Sequence, residues 1–122
     1  MTVPPTLLVV DDEENLLFLL DRVLSKDGFH IKTAVNAYEA LELVEHEQFS
    51  LAILDIKMFP IDGVALLEEI RKRSPETRVI MTTGYPSDGS REKCLALGAS
   101  HYLIKPVEIP ELKIILHHLM ER

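Results

Sequence analysis

Four apolar runs in this chain end in residues that can do oxygen or nitrogen chemistry. Leu7–Val10 runs into Asp11 and Asp12, and Leu51–Leu54 runs into Asp55. Val79–Met81 runs into Thr82 and Thr83, and Tyr102–Ile104 runs into Lys105. If these runs are strands of one sheet, three carboxylates, hydroxyls and one ammonium group meet at one edge. Carboxylates packed together repel one another and demand a cation. Oxygen-only ligands suit Mg2+, which prefers octahedral geometry and keeps several waters. No histidine or cysteine cluster has the spacing of a zinc site. Beside such a metal, a carboxylate can attack a phosphoryl group and form an acyl phosphate. The metal and the lysine would neutralise the transferring oxygens, and a hydroxyl would hydrogen-bond one of them. Each residue has an ordinary alternative. Asp12 alone reads equally well as a helix cap or a solvated charge, and Lys105-Pro106 as a plain loop. Their coincidence at one edge, in one chain order, singles them out.

The elements that must position these groups alternate five times. Thr6 to Asp11 reads as the first strand, Phe29 to Val35 as the second and Leu51 to Leu54 as the third. Arg78 to Thr82 and His101 to Ile104 follow as the fourth and fifth. The first helix, Glu14 to Lys26, carries Leu16, Leu17, Leu20, Val23 and Leu24 on one face. Asn36 is placed to cap the second helix, whose inward stripe is Ala37, Ala40, Leu41 and Val44. The third helix ends near Arg73 with Val64, Leu67 and Ile70 inward, stopped by Ser74-Pro75. The fourth, about Ser90 to Leu97, is weakly specified because Gly89 precedes it. The fifth takes Pro110 in its first turn and buries Leu112, Ile115, Leu116 and Leu119.

Alternating strands and helices with short links imply right-handed crossovers and a parallel sheet. The expected fold is α/β, a five-stranded parallel sheet doubly wound as (βα)5. In such sheets sites form outside the carboxyl ends of the strands, at the switch in strand order. The expectation is one domain over residues 1–122, with its core at about 6–120.

The 122 residues allow one real core. With 47% hydrophobic and 27% charged residues the chain reads as globular. A net charge of −7 argues against direct nucleic-acid binding, which needs a basic surface. The single cysteine, Cys94, cannot form an internal disulfide and reads as a small core or surface thiol. Met1 to Pro5 lacks the basic and apolar regions of a signal peptide, and no apolar run is long enough for a membrane span. A cytoplasmic setting is expected.

The set Leu7–Glu13, Leu51–Asp55 with Gly63 eight residues later, Val79–Gly84 and Gly98–Pro106 resembles the CheY-like receiver domain of two-component response regulators. The resemblance covers about Thr6 to Met120. It implies the strand order 2-1-3-4-5 and Mg2+ as cofactor. It implies Asp55 as phosphoacceptor, charged by a sensor histidine kinase or a histidine phosphotransfer protein. Asp12 would be a direct metal ligand, Asp11 would contribute through water, and the backbone carbonyl of Lys57 would be a third ligand. Thr83 would be the switch hydroxyl, Lys105 the cation that pairs with the phosphoryl group, and Tyr102 the aromatic switch. A cis Lys105-Pro106 bond is also implied. Phosphorylation adds charge and strong acceptor oxygens. It would draw in Thr83 and Lys105 and reshape the face of the fourth helix, fifth strand and fifth helix. That face would signal to an output domain or effector, and would allow a homodimer.

The chain departs from the family pattern at Phe59, where proline is usual; proline comes one later, at Pro60. Phe59 is expected to pack, with an exposed apolar contact for a partner as the alternative. Lys57 and Tyr85 flank the site and are expected to obstruct or orient an attacking water. His30, His46, His101, His117 and His118 are scattered without suggestive partners. Ile114, Leu119 and Met120 could extend an apolar stripe beyond the core. A pseudo-receiver that only binds proteins is the rival, yet no acidic or lysine position is lost. A nucleotide-binding fold would need a glycine-rich loop after the first strand, where Asp11–Asn15 stands instead. A natural single-domain regulator and a receiver taken from a longer protein both fit; the end at Arg122, near the close of the fifth helix, slightly favours the second.

Overall fold

The computed structural model describes residues 4–121; Met1–Val3 and Arg122, which belong to the readings of the two chain ends, lie outside the described residues. Five strands alternate with five helices. They are β1 (Thr6–Val10), α1 (Glu14–Lys26), β2 (His30–Ala34), α2 (Ala37–His46) and β3 (Leu51–Asp55). Then come α3 (Gly63–Arg73), β4 (Arg78–Thr83), α4 (Ser90–Ala96), β5 (His101–Ile104) and α5 (Ile109–Met120). All neighbouring strands are parallel, in the order β2-β1-β3-β4-β5. The expected fold and strand order both hold, and element ends differ from the sequence reading by one residue or so.

The period-2 alternation of the inner strands divides the core into two layers. Leu8, Val10, Ala52, Leu54, Val79 and Met81 face α2, α3 and α4. Leu7, Val9, Leu51, Ile53 and Ile80 face α1 and α5. Strands buried on both faces read as unbroken apolar runs for that reason. β2 is an edge strand, and of its five residues only Ala34 is fully buried. Its exposed Lys32 and Thr33 suit an edge that must not pair with another chain.

The helix stripes follow the sequence with two corrections. On α3 the buried residues are Leu66, Leu67 and Ile70, while Val64 is half-buried at the rim. Each full burial is worth roughly 1.5–3 kcal/mol over exposure. On α5, Leu119 belongs to the core and Met120 packs half-buried against it, so the expected apolar extension reduces to the exposed Ile114. Asn36 Oδ1 accepts from Glu39 N at 2.9 Å, and Glu39 Oε1 accepts from Val35 N at 3.1 Å. That reciprocal pair fixes the start of α2, a cap worth about 1 kcal/mol. Asp62 caps α3 in the same way through Ala65 N at 2.9 Å. α4 is the shortest helix, preceded by Gly89 at φ 77° and burying only Cys94. Burial raises the Cys94 thiol above its ordinary pKa, so it stays protonated core. None of the described helices is long and apolar enough to cross a membrane.

Candidate functional site: an acidic cluster at the carboxyl edge of the sheet

The order reversal of the sheet falls between β1 and β3, and the carboxyl ends of these two strands carry the acidic residues. Asp11, Asp12 and Asp55 each present a carboxylate oxygen, all within 4.8 Å of one another. Asp11 and Asp55 are buried, and Asp12 is exposed. Asp11 is fixed at both ends of its residue. Its N–H donates to the Ala34 carbonyl at 3.1 Å, and its Oδ1 accepts from Glu13 N at 2.9 Å. Asp12 caps nothing: the N-cap of α1 is Glu13, with no side-chain capping bond.

Backbone hydrogen bonds carry the other groups to the same edge. Ile56 N donates to Thr82 O at 2.9 Å, which locks the turn after Asp55 to the end of β4. Lys105 N donates to Thr83 O at 2.8 Å, which locks the lysine to the same end. The Lys105-Pro106 bond is cis, as the resemblance implied, and so is Phe59-Pro60. Lys105 Nζ then lies 2.8 Å from Asp11 Oδ2, 3.3 Å from Glu13 Oε1 and 3.5 Å from Asp55 Oδ1.

Three carboxylates thus share one ammonium group, with Asp12 close by. Burial raises the Asp55 pKa most, the Asp11 charge raises it further, and Lys105 only partly offsets them; the result is about 6. For Lys105, burial pulls the pKa down, but the hydrogen bond to Asp11 and the neighbouring charges outweigh it and leave it raised. The site is therefore short of positive charge, as oxygen-only cation sites are. The loop after Asp55 adds a carbonyl. Ile56 O is already bonded to Met58 N and Gly63 N, while the Lys57 carbonyl takes no backbone donor among the described residues.

Thr83 is buried, and its Oγ1 accepts from Tyr85 N at 3.0 Å, a hydroxyl-backed turn at the start of the β4–α4 loop. Tyr102 packs at the edge of the α2–α3–α4 core layer, and its hydroxyl donates to Ser90 Oγ at 3.1 Å. Lys57 and Tyr85 line a cleft between the β3–α3 and β4–α4 loops. Phe59 is corrected: it is 86% exposed and does not pack, while the following Ile61 packs against the core in its place.

Two features escaped the sequence reading. Gly63 lies against the backbone of Asp55 and Ile56, and a Cβ there would overlap the Asp55 carbonyl. Its place eight residues after Asp55 marked it in the sequence, but not this contact. His117 Nε2 lies 2.7 Å from Asp27 Oδ2 and ties α5 to the end of α1. That hydrogen bond, with Lys113 nearby, holds the Asp27 carboxyl below its ordinary range. No local sequence pattern predicts a pair ninety residues apart.

Known proteins share this arrangement. The model of the response regulator receiver domain family matches residues 7–117. Transcriptional regulatory protein ZraR of Klebsiella oxytoca is 36% identical over 110 residues, which is 90% of this chain and 25% of ZraR. This chain thus spans about a quarter of that relative's length. The CheY-like receiver domain structure from Methanospirillum hungatei superposes with a TM-score of 0.91 at 35% identity, covering 96% of this chain and 94% of that one. TrrA from Thermotoga maritima, solved in complex with Mg2+-BeF, gives a TM-score of 0.84 at 35% identity, covering 95% of this chain and 99% of that one. With its sheet order, acidic edge and matched length taken together, this chain belongs to the response regulator receiver domains of two-component systems.

Proposed function

We propose that this domain accepts a phosphoryl group on Asp55 from a histidine kinase or a histidine phosphotransfer protein. An Asp55 carboxylate oxygen attacks phosphorus, the P–N bond of the phosphohistidine breaks, and the imidazole leaves with the electron pair. The observation that carries this reading is the cluster of three carboxylates within 4.8 Å, served by Lys105 as its one ion-paired ammonium among the described residues. That set fits a hard divalent cation, and Mg2+ is the cation of the Thermotoga relative. Asp11, Asp12, Asp55 and the Lys57 carbonyl would hold it, and it would supply charge for the phosphoryl oxygens.

The rest of the machinery belongs to this chain. With an oxyanion on Asp55, Lys105 exchanges its Asp11 contact for the new group, and Thr83 Oγ1 turns from Tyr85 N to donate to a phosphoryl oxygen. The β4–α4 loop follows Thr83, and Tyr102 releases Ser90. The face of α4, β5 and α5 then changes shape, a shift between two pre-existing populations. Ile104 and Ile114 are exposed on that face and supply apolar area for an output domain, an effector or a second copy. The domain is regulatory, a phosphoacceptor in a signalling chain.

The test is intact-protein mass after incubation with acetyl phosphate and Mg2+, beside an Asp55→Asn control. One phosphoryl gain that needs Mg2+ and vanishes in the control is expected. No gain in a folded protein would leave a protein-binding module of the same fold.

A further inference from the structure

At the edge of the sheet opposite Asp55 lies a cavity of about 660 Å3 that the phosphoryl chemistry does not use. Arg71, Arg78, Ser50 and Ser100 stand in its wall, with Glu76 as its acidic residue. Neither arginine has a carboxylate within 4.0 Å among the described residues, whereas Arg73 on the same helix as Arg71 pairs with Glu45 and Glu69. Two half-buried cations without acidic partners are unexpected in a chain of net charge −7.

Their hydrogen bonds go to backbone carbonyls. Arg71 Nη1 donates to Pro75 O at 2.8 Å and Thr77 O at 3.1 Å. Arg78 Nη1 donates to Leu119 O at 2.6 Å. Carbonyls orient a guanidinium without cancelling its charge. Each guanidinium carries five N–H donors in a rigid fork. In both, the Nε and Nη2 donors have no partner among the described residues. Gly98 makes room for this arrangement: it sits at φ 106°, and an added Cβ would lie 2.7 Å from Arg71 Nε. Ser50 and Ser100 bring hydroxyls to the same wall.

We propose that this cavity is a binding site for a small molecule carrying an oxyanion group, phosphate or carboxylate, gripped by the free forks of Arg71 and Arg78. Planar, bidentate recognition is what an oriented guanidinium offers such groups. The volume falls within the roughly 300–1,000 Å3 of small-molecule sites, so it holds more than one oxyanion group. The site is independent of Asp55 and of phosphorylation.

The experiment titrates the 15N-labelled chain, free of divalent metal, with pyrophosphate, with citrate and with sodium chloride at matched ionic strength. The expected result is saturable shifts of the Ser50, Gly98 and Ser100 amides with one or both oxyanions. Saturation by pyrophosphate alone identifies phosphate chemistry, and by citrate alone carboxylate chemistry. Arg71→Gln and Arg78→Gln should each weaken binding about tenfold, the size of one lost charge-assisted hydrogen bond. The ligand should raise the melting temperature of the parent more than that of either variant. Because each arginine also braces backbone carbonyls, Ser100→Asp is the second probe. It places a carboxylate, of the same charge as the ligand, in the wall without removing either arginine, occupies the forks and should abolish the shifts. Shifts equal to those in sodium chloride, no saturation, or unchanged affinity in Ser100→Asp would overturn the site and leave the arginines as braces.

Discussion

Lys105 binds Asp11 more closely than it binds Asp55: Nζ is 2.8 Å from the Asp11 carboxylate and 3.5 Å from that of Asp55. The lysine therefore holds the acidic pair together before any phosphoryl group arrives. Replacing it with methionine keeps most of the stem volume and removes the charge. Without it the Asp11 and Asp55 charges lose their common counterion. The Asp55 pKa should rise above its present value of about 6. Carboxyl 13C titration of Lys105→Met against the parent measures this. An unmoved Asp55 midpoint would mean that the ammonium does not reach it. Phosphoryl uptake from acetyl phosphate should fall in the same variant.

Asp55 itself should cost the metal-free fold stability. Its carboxyl holds its proton up to about pH 6 in the folded chain, against 3.8 ordinarily. Between these values the folded state binds more protons than the unfolded state, so stability falls as pH rises through that window. Below it the penalty is absent, and above it fully present. Asp55→Asn should accordingly be more stable than the parent at pH 7.5 without metal, and the gap should close by pH 4. Millimolar Mg2+ should also narrow the gap at pH 7.5, because a cation on the carboxylates offsets their repulsion. Thermal melts at the two pH values check this; an equally stable or weaker variant at pH 7.5 would contradict it.

Gly63 should tolerate no side chain. It stands where α3 begins, its N–H donates to Ile56 O at 2.8 Å, and a Cβ would lie 2.8 Å from Ile56 Cα and closer still to the Asp55 carbonyl. Backbone atoms cannot swing aside as a flexible side chain can. Gly63→Ala should destabilise the domain by about 1–3 kcal/mol, the range for overpacking. It should also slow phosphoryl uptake, because the Asp55–Ile56 backbone must move to admit the methyl group. Urea unfolding gives the first number and the acetyl phosphate rate the second. A variant with parental stability and rate would show that the turn has slack.

The fold was legible because the inner strands are buried on both faces. Leu7–Val10 and Leu51–Leu54 could be nothing but core strands once helical stripes stood between them. The site was legible because its residues terminate those strands, so strand order alone gathers Asp11, Asp55 and Lys105 at one edge. What the sequence left open is tertiary. Phe59 sits in a loop whose exit direction no local pattern encodes, so the sequence left packing and exposure both open. Asp27 meets His117 only after α5 docks beside α1. Whether Lys105 prefers Asp11 or Asp55 depends on differences under 1 Å. Arg71 and Arg78 carry no local signal either, because their partners are backbone carbonyls.

Far from the acidic edge, Thr77 should be a stability residue only. Gln48 Nε2 donates to Ser74 Oγ at 3.1 Å, and Thr77 Oγ1 donates to the Phe49 carbonyl at 2.7 Å. With Thr77 spending its proton on Phe49, Ser74 must be the donor in the 2.6 Å contact between the two hydroxyls. The relay is buried: Thr77 is 1% exposed and Ser74 6%. Valine fills the same space but cannot accept from Ser74 or donate to Phe49, which leaves two polar groups unpaired away from water. Thr77→Val should therefore cost about 1–3 kcal/mol, read as a lower urea midpoint with an unchanged slope. Phosphoryl uptake at Asp55 should stay at the parental rate, since the relay lies at the opposite end of the strands. A loss below about 0.5 kcal/mol would mean that water satisfies the orphaned groups, as it does at surface sites.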